Sequence, residues 1–327
     1  MFRITRRVLL AGAVAGVLTL PAAAFEPSGV ECIAPANPGG GWDFTCRQVG
    51  RALFELGIVK EPVRVTNMAG GGGGVAFAYV VTKRGNDDQL LVAASTATVT
   101  RLAQGAYVGM KADMVRWVGT VGADYGVIAV AADSPMKTLG DLMEALRTRP
   151  GEVAIAGGSA FGGWDHLKVL IAAKAAGIED VRAIKYVAYK GGGEAVTALL
   201  GGHVQAFSGD ISEVVGFIEA GQVRVLAVLA PERLPGRLAD IPTAREQGVD
   251  AIGANWRGFY APGGMSDEAY AFWVDAVRRV YGSDLWKKVM AQSGLMPFAL
   301  YGGELEDFVR RQSADIAALS QEIGLVK

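Results

Sequence analysis

Histidine and cysteine are scarce: two of each occur in 327 residues. His166 and His203 share no metal-ligand spacing with Cys, Asp or Glu, so no metal is expected. A serine nucleophile is equally poorly served. Around Ser159 the chain reads Gly157-Gly158-Ser159-Ala160-Phe161, with Phe where an esterase elbow ends in Gly. Cys46 as a nucleophile would need a nearby His, and oxidation with Cys32 would disable it. Neither sign of charge dominates, with 32 basic residues against 33 acidic. No basic run carries interleaved aromatics, which argues against a nucleic-acid partner. Glycine is abundant, yet no Gly-Lys-Ser/Thr follows either glycine-rich turn, and the spacing Gly70-x-Gly72 ends in Val75. Neither a nucleotide nor a dinucleotide cofactor is therefore expected. Past residue 24 no apolar run is long enough to span a bilayer. These absences argue against catalysis, a nucleotide cofactor and a further membrane span.

Residues 1–24 read as an export signal. Arg3, Arg6 and Arg7 precede an apolar core from Val8, and Ala22-Ala23-Ala24 offers a small-residue cleavage site. Thr5-Arg6-Arg7-Val8-Leu9-Leu10 also resembles a twin-arginine signal lacking its Lys, so the route stays open, with the general secretory one preferred. The mature chain would begin near Phe25 in the periplasm with 29 basic and 33 acidic residues. There both cysteines meet an oxidising compartment. Cys32 lies near the end of a strand and Cys46 in the first turns of the next helix. Two buried thiols remain an alternative, but a disulfide is expected, closing a loop of about 15 residues worth roughly 3 kcal/mol.

The central motif is Ala34-Pro35-Ala36-Asn37-Pro38-Gly39-Gly40-Gly41-Trp42-Asp43. A short strand precedes it, and Cys46, Val49, Leu53 and Leu56 recur afterwards at helical spacing. The glycines thus sit at a helix N-terminus, where free N–H groups and the helix dipole favour an anion. A second strand leads into five consecutive glycines at 70–74, a costly run unless bare backbone is wanted there. Ser95 and Thr96 end the next strand, where hydroxyls serve either a ligand or a helix cap.

The pattern then repeats. Gly-Gly-Trp-Asp at 40–43 recurs at 162–165, and a further glycine run at 191–193 echoes the one at 70–74 at similar spacing. Strands alternating with helices predict mostly parallel sheets in two lobes of related design. Loops at the strands' carboxyl ends then meet in a crevice. Ser208-Gly209-Asp210 ends another strand of the second lobe. A short helix over 111–118 and a short strand over 296–299 are also predicted.

Several of these segments, in order, carry a resemblance. Pro38 to Asp43, the run 70–74, Tyr189-Lys190-Gly191-Gly192, Leu200-Gly201-Gly202-His203-Val204, Asp240-Ile241-Pro242-Thr243 and Gly258-Phe259-Tyr260-Ala261-Pro262 are similar to motifs of one family. The chain resembles the extracytoplasmic substrate-binding proteins of tripartite tricarboxylate transporters. The resemblance implies a type II periplasmic-binding-protein fold, a Venus flytrap with a carboxylate in its cleft. Lobe 1 would comprise residues 25–124 and 255–327, and lobe 2 residues 125–254, with hinge strands near 125–129 and 252–256. Ligand contacts would come from Asn37, Gly40, Gly41, Trp42, Asp43, Gly71, Gly72 and Gly73, with Ser95 and Thr96 at the strand end. Ser159, Gly162 and Asp210 would contribute from the opposite lobe. Gly85-Asn86-Asp87-Asp88-Gln89 departs from the family's pattern, away from the cleft. Trp42 and the Cys pair tilt the ligand toward citrate; a dicarboxylate or aromatic acid is the alternative. The implied partners are large and small membrane permease subunits, or a signalling partner if the protein is a sensor input. A monomer is expected.

Overall fold

The computed structural model describes residues 25–326, so the predicted export signal lies outside the described residues. Among them, no helix is long and apolar enough to cross a membrane. The chain opens with β1 (Glu31–Ala34), α1 (Gly41–Glu55), β2 (Arg64–Asn67), α2 (Gly74–Lys83), β3 (Leu90–Ser95) and α3 (Thr96–Ala103). A 17-residue strand, β4 (Val115–Ala131), follows. Then come α4 (Leu139–Thr148), β5 (Ala154–Gly157), α5 (Trp164–Ala175), β6 (Lys185–Ala188), α6 (Gly192–Leu200), β7 (Ala206–Asp210), α7 (Ile211–Glu219) and β8 (Val223–Val228). The chain returns through β9 (Ala254–Pro262) and closes with α8 (Asp267–Gly282), α9 (Asp284–Ser293) and α10 (Gly303–Glu322).

All nine strands join one continuous sheet in the order β2-β1-β3-β9-β4-β7-β5-β6, with β8 also on β4. The flanks are parallel, β1 with β2 and β3, and β5 with β6 and β7. The middle is antiparallel, because β4 and β9 run against their neighbours. Strand β4 exchanges partners midway: its last pair with β9 is Tyr125↔Ala254, and its first with β7 is Gly126↔Asp210. One strand therefore belongs to both halves of the sheet.

Local chemistry accounts for most boundaries. Thr138 and Asp141 cap each other's backbone at the start of α4, whose Leu139, Leu142, Met143 and Leu146 are buried. The helix predicted over 111–118 is corrected: only residues 112–114 form a 3-10 turn, and β4 begins at Val115. Val115, Trp117, Val118 and Val121 are β-branched or aromatic and fill a pleated, buried surface better than a helix. The strand predicted over 296–299 is reduced to a single bridge from Met296 to Ala123.

Apolar clusters cover both faces. Val49, Leu53, Trp273 and Trp286 pack α1, α8 and α9 on the sheet. Val196, Phe207 and Val214 do so for α6 and α7. A third cluster runs across the partner exchange of β4 through Phe77, Leu142, Leu170 and Val309.

Cys32 and Cys46 form the expected disulfide, with Cα atoms 5.7 Å apart, tying α1 to β1 across the central glycine turn. Denatured, unreduced protein is expected to show no free thiol. Reduction should lower stability by about 3 kcal/mol, read from the urea midpoint at constant slope. Two titratable thiols would refute the bridge in the folded protein.

Candidate functional site

The central turn, the glycine run at 71–72 and the loops after β5 and β6 enclose a cavity of about 240 Å³. Its wall includes Gly40, Gly41, Trp42, Gly71, Gly72, Ser95, Ser159 and Asp210, which the sequence picks out. It also includes Arg101, Asp165, Lys190, Glu213, Asn255 and Arg257, which the sequence reading missed as wall residues.

The remaining predicted site residues hold the wall up from behind. Asp43 accepts from the Gly39 N–H at 3.0 Å, from Asn67 Nδ2 at 2.8 Å and from Arg47 Nε at 2.9 Å. Burial would raise its pKa, but these donors outweigh it and hold the carboxyl below its ordinary value. Asp43 is thus a brace for the turn, facing away from any anion. Asn37 reaches across the cleft: its N–H donates to Lys190 O at 3.0 Å, and its Nδ2 to Glu194. Thr96 donates to Ala254 O at 3.2 Å and so fastens α3 to β9. Gly73 has φ +98°, and a Cβ there would lie 2.7 Å from Tyr107 Oη, which donates to Gly72 O. Gly162 donates its N–H to His166 Nδ1 at 3.0 Å and accepts from Gln104 Nε2 at 2.8 Å.

Both wall hydroxyls are already engaged as caps. Ser95 Oγ accepts from the Ala97 N–H at 3.1 Å and from Trp42 Nε1 at 3.0 Å, which sets the indole against the cavity. Ser159 Oγ accepts from the Asp165 N–H at 2.9 Å. Tyr186 gives its proton to Ser159 O at 2.8 Å, so the Ser159 hydroxyl in turn donates to Tyr186 Oη at 3.3 Å.

Beneath the wall lies a buried ionic network that crosses the partner exchange of β4. Arg257 on β9 donates through Nη2 to Asp124 Oδ2 at 2.8 Å and to Asp210 Oδ2 at 2.7 Å. Lys168 on α5, fully buried, reaches Asp210 Oδ1 at 2.7 Å and Asp165 Oδ1 at 2.9 Å. Asn255 Nδ2 also donates to Asp210 Oδ2, at 2.6 Å. Burial opposes the charge on Asp210, but Lys168 and Arg257 outweigh it and keep its pKa low. The same ion pairs raise the pKa of Lys168 and Arg257 despite burial. Asp210 therefore faces its own cations, which resolves how an acid can sit in this cleft.

Much of the bare glycine makes room for this network. A Cβ on Gly41 would fall 2.2 Å from Arg257 Nη2, one on Gly126 2.4 Å from Lys168 Cδ, and one on Gly192 2.3 Å from the Glu213 carboxyl carbon. The Gly41 N–H, at the start of α1, donates to Glu213 Oε1 at 3.0 Å, and the Asp210 N–H to Glu213 Oε2 at 3.0 Å. One anion site predicted at this helix N-terminus is thus taken by a carboxylate of the chain itself.

Arg101 on α3 is the exception among the buried cations. Its Nη1 donates to Gln104 and to Phe161 O, while its Nε is buried with no partner. No carboxylate among the described residues lies within ion-pair distance of it, and burial lowers its pKa from the ordinary guanidinium value. A guanidinium stays cationic all the same.

A family model described as "Tripartite tricarboxylate transporter family receptor" matches residues 46–325. Protein BugT of Bordetella pertussis is 27% identical over 299 residues, 90% of this chain and 89% of that protein. A Cupriavidus necator protein described as "UPF0065 protein in gbd 5'region" is 24% identical over 98% of this chain and 96% of its own. Among solved structures, one described as a periplasmic transporter superposes with TM-score 0.82 at 22% identity, covering 91% of this chain and 97% of its own. An R. palustris protein solved with adipate superposes with TM-score 0.79 at 24% identity, covering 90% and 97%. At this identity the two structures establish the fold alone, the mixed α/β fold of the periplasmic binding proteins.

Proposed function

Since the chain belongs to the family of tripartite tricarboxylate transporter receptors, we propose that its cavity captures a small carboxylate and delivers it to a membrane permease of large and small subunits. The family is one of periplasmic solute receptors, not enzymes. The observation that carries the carboxylate reading is Arg101, a partly buried guanidinium at the cavity wall that no carboxylate among the described residues neutralises. A ligand carboxylate supplies the missing counter-ion.

Capture works by closure of two lobes, residues 25–124 with 255–327 and residues 125–254. The partner exchange at Tyr125 and Gly126, opposite Gly253 and Ala254, supports a hinge there. R. palustris structures of this fold were solved with malate and with adipate. A tricarboxylate such as citrate fits less well, because four buried or cavity-facing carboxylates, Asp124, Asp165, Asp210 and Glu213, already cluster on one side.

The test is a thermal-shift and fluorescence screen of mono-, di- and tricarboxylates against sugars and cationic amines. A carboxylate at about 100 times its dissociation constant should stabilise the protein by roughly 2.7 kcal/mol. Arg101→Gln should weaken that ligand by about ten- to hundredfold, the worth of a charge-assisted hydrogen bond. A sugar or amine that shifts the melt while every carboxylate stays silent would end this reading. X-ray scattering that finds no compaction with a bound carboxylate would end the closure mechanism.

A further inference from the structure

We propose that Asn37 is a clasp rather than a ligand contact: it ties lobe 1 to the turn 190–194 of lobe 2, and this tie sets how slowly a captured carboxylate leaves. This rests on capture by closure of two lobes, and it gives that closure a positioning residue.

The cavity wall takes Ala36 and Gly40 from the central turn but passes over Asn37 between them. The donors of Asn37 meet the opposite lobe instead. Its backbone N–H donates to Lys190 O at 3.0 Å, and its Nδ2 donates to Glu194 Oε1. Glu194 is an acceptor already held in place. It stands in the first turn of α6, and its other oxygen accepts from the Lys190 N–H at 3.3 Å. Both bonds from Asn37 therefore grip one unit, the turn into α6. Glu194 is exposed and lies outside the cavity wall, so the grip is separate from the ligand.

The glycine run at 191–193 fits this contact. A Cβ on Gly191 would lie 3.4 Å from Asn37 O, and one on Gly193 3.4 Å from Gly39 O. A Cβ on Gly40 would in turn lie 3.4 Å from Gly191 Cα. Backbone of one lobe thus packs on backbone of the other, and larger side chains would hold the two turns apart and stretch the Asn37 bonds. The echo of the run at 70–74 in the second half of the chain is, at Gly191 and Gly193, room for lobe to meet lobe.

A second tie lies at the loop after β5, where Gln104 Nε2 donates to Gly162 O at 2.8 Å and Arg101 Nη1 to Phe161 O at 3.0 Å. Arg101 also lines the cavity, so its part in closure cannot be separated from its part in binding. Asn37 serves closure alone. A bond made in the closed form and absent from the open one favours closure whatever the ligand. The ligand departs through the open form, so losing the bond speeds departure and barely alters arrival.

Stopped-flow tryptophan fluorescence with malate, succinate and adipate measures both rates. Asn37→Ala should raise the dissociation rate of each carboxylate that binds by about five- to tenfold, the worth of one exposed hydrogen bond. The association rate should change by less than about twofold. Glu194→Ala should act alike, and combining the two should add little beyond either alone, because both remove one bond. Glu194→Gln keeps an acceptor for the Asn37 amide and should stay within about twofold of the parent. A ligand contact at Asn37 predicts a silent Glu194→Ala and a loss that differs among the carboxylates. Either result overturns the clasp and leaves the carboxylate receptor intact. If no carboxylate binds the parent, the receptor reading falls, and X-ray scattering of ligand-free Asn37→Ala against its parent decides the clasp. A more open variant supports it, and equal compaction overturns it.

Discussion

Arg257→Leu is expected to lower the free energy of unfolding by about 3–5 kcal/mol, the usual cost of stranding a buried ionic partner. Arg257 is 3% exposed and bonds two carboxylates from different parts of the chain, Asp124 on β4 and Asp210 at the end of β7. Without it both acids remain in the protein interior, close to each other and to Glu213. Urea unfolding at pH 7 measures the loss. Arg64→Leu provides the contrast, since Arg64 is largely exposed where it meets Glu31 and should cost under about 1 kcal/mol. The deficit of Arg257→Leu should also shrink as the pH falls. Burial already raises the pKa of Asp124, and losing Arg257 raises it further. Folded protein then holds protons that the unfolded chain lacks between pH about 4 and the raised value, so stability rises as pH drops through that window. A loss below about 1 kcal/mol at pH 7 would mean that the network beneath the cavity wall is solvated rather than buried.

That network explains what was legible in the sequence and what was not. The helix N-termini at Gly41 and Trp164, the disulfide and the repeated glycine turns all rest on local chemistry: strand, turn, cap and apolar spacing over a few residues. So do Trp42 and Gly72, which reach the cavity directly. Asp210 was visible as an acid at a strand end, but its meaning depends on Lys168 and Arg257, which lie 42 and 47 residues away along the chain. Arg257 itself stood beside the motif Gly258 to Pro262 and still gave no sign, because a lone Arg between Trp256 and Gly258 reads as a surface position on a strand. The one usable signal was the glycines: Gly41, Gly126 and Gly192 are bare because side chains of Arg257, Lys168 and Glu213 fill the space a Cβ would take. Bareness was read as room for a ligand, and part of it is room for the protein's own charges. Likewise Val115 to Val118 has the apolar content of a helix or a strand, and only pairing with β9 decides between them.

Gly72→Val is expected to abolish the ligand response while leaving most of the stability in place. Gly72 has φ +64° and ψ 34°, a left-handed conformation that a β-branched residue rarely adopts. Its strain should cost about 1–2 kcal/mol, confined to a single turn between β2 and α2. The effect on binding is larger for a steric reason. A Cβ at this position lies 3.2 Å from the Ala160 Cβ in the loop after β5 and 3.6 Å from Arg101 Nε. The valine methyls extend past that point, into the gap where the two lobes approach and against the guanidinium assigned to the ligand carboxylate. Closure and the Arg101 contact are blocked together, so affinity should fall by more than about a hundredfold. Gly72→Ala separates the two causes, because it carries backbone strain with one tight contact and no branching, and should give an intermediate loss. Fluorescence titration near Trp42, with the carboxylate found in the screen, reads the affinity, and X-ray scattering reads the compaction. A Gly72→Val protein that binds and compacts like the parent would show that the run at 70–74 does not meet the opposite lobe in the liganded state, and would remove this turn from the site.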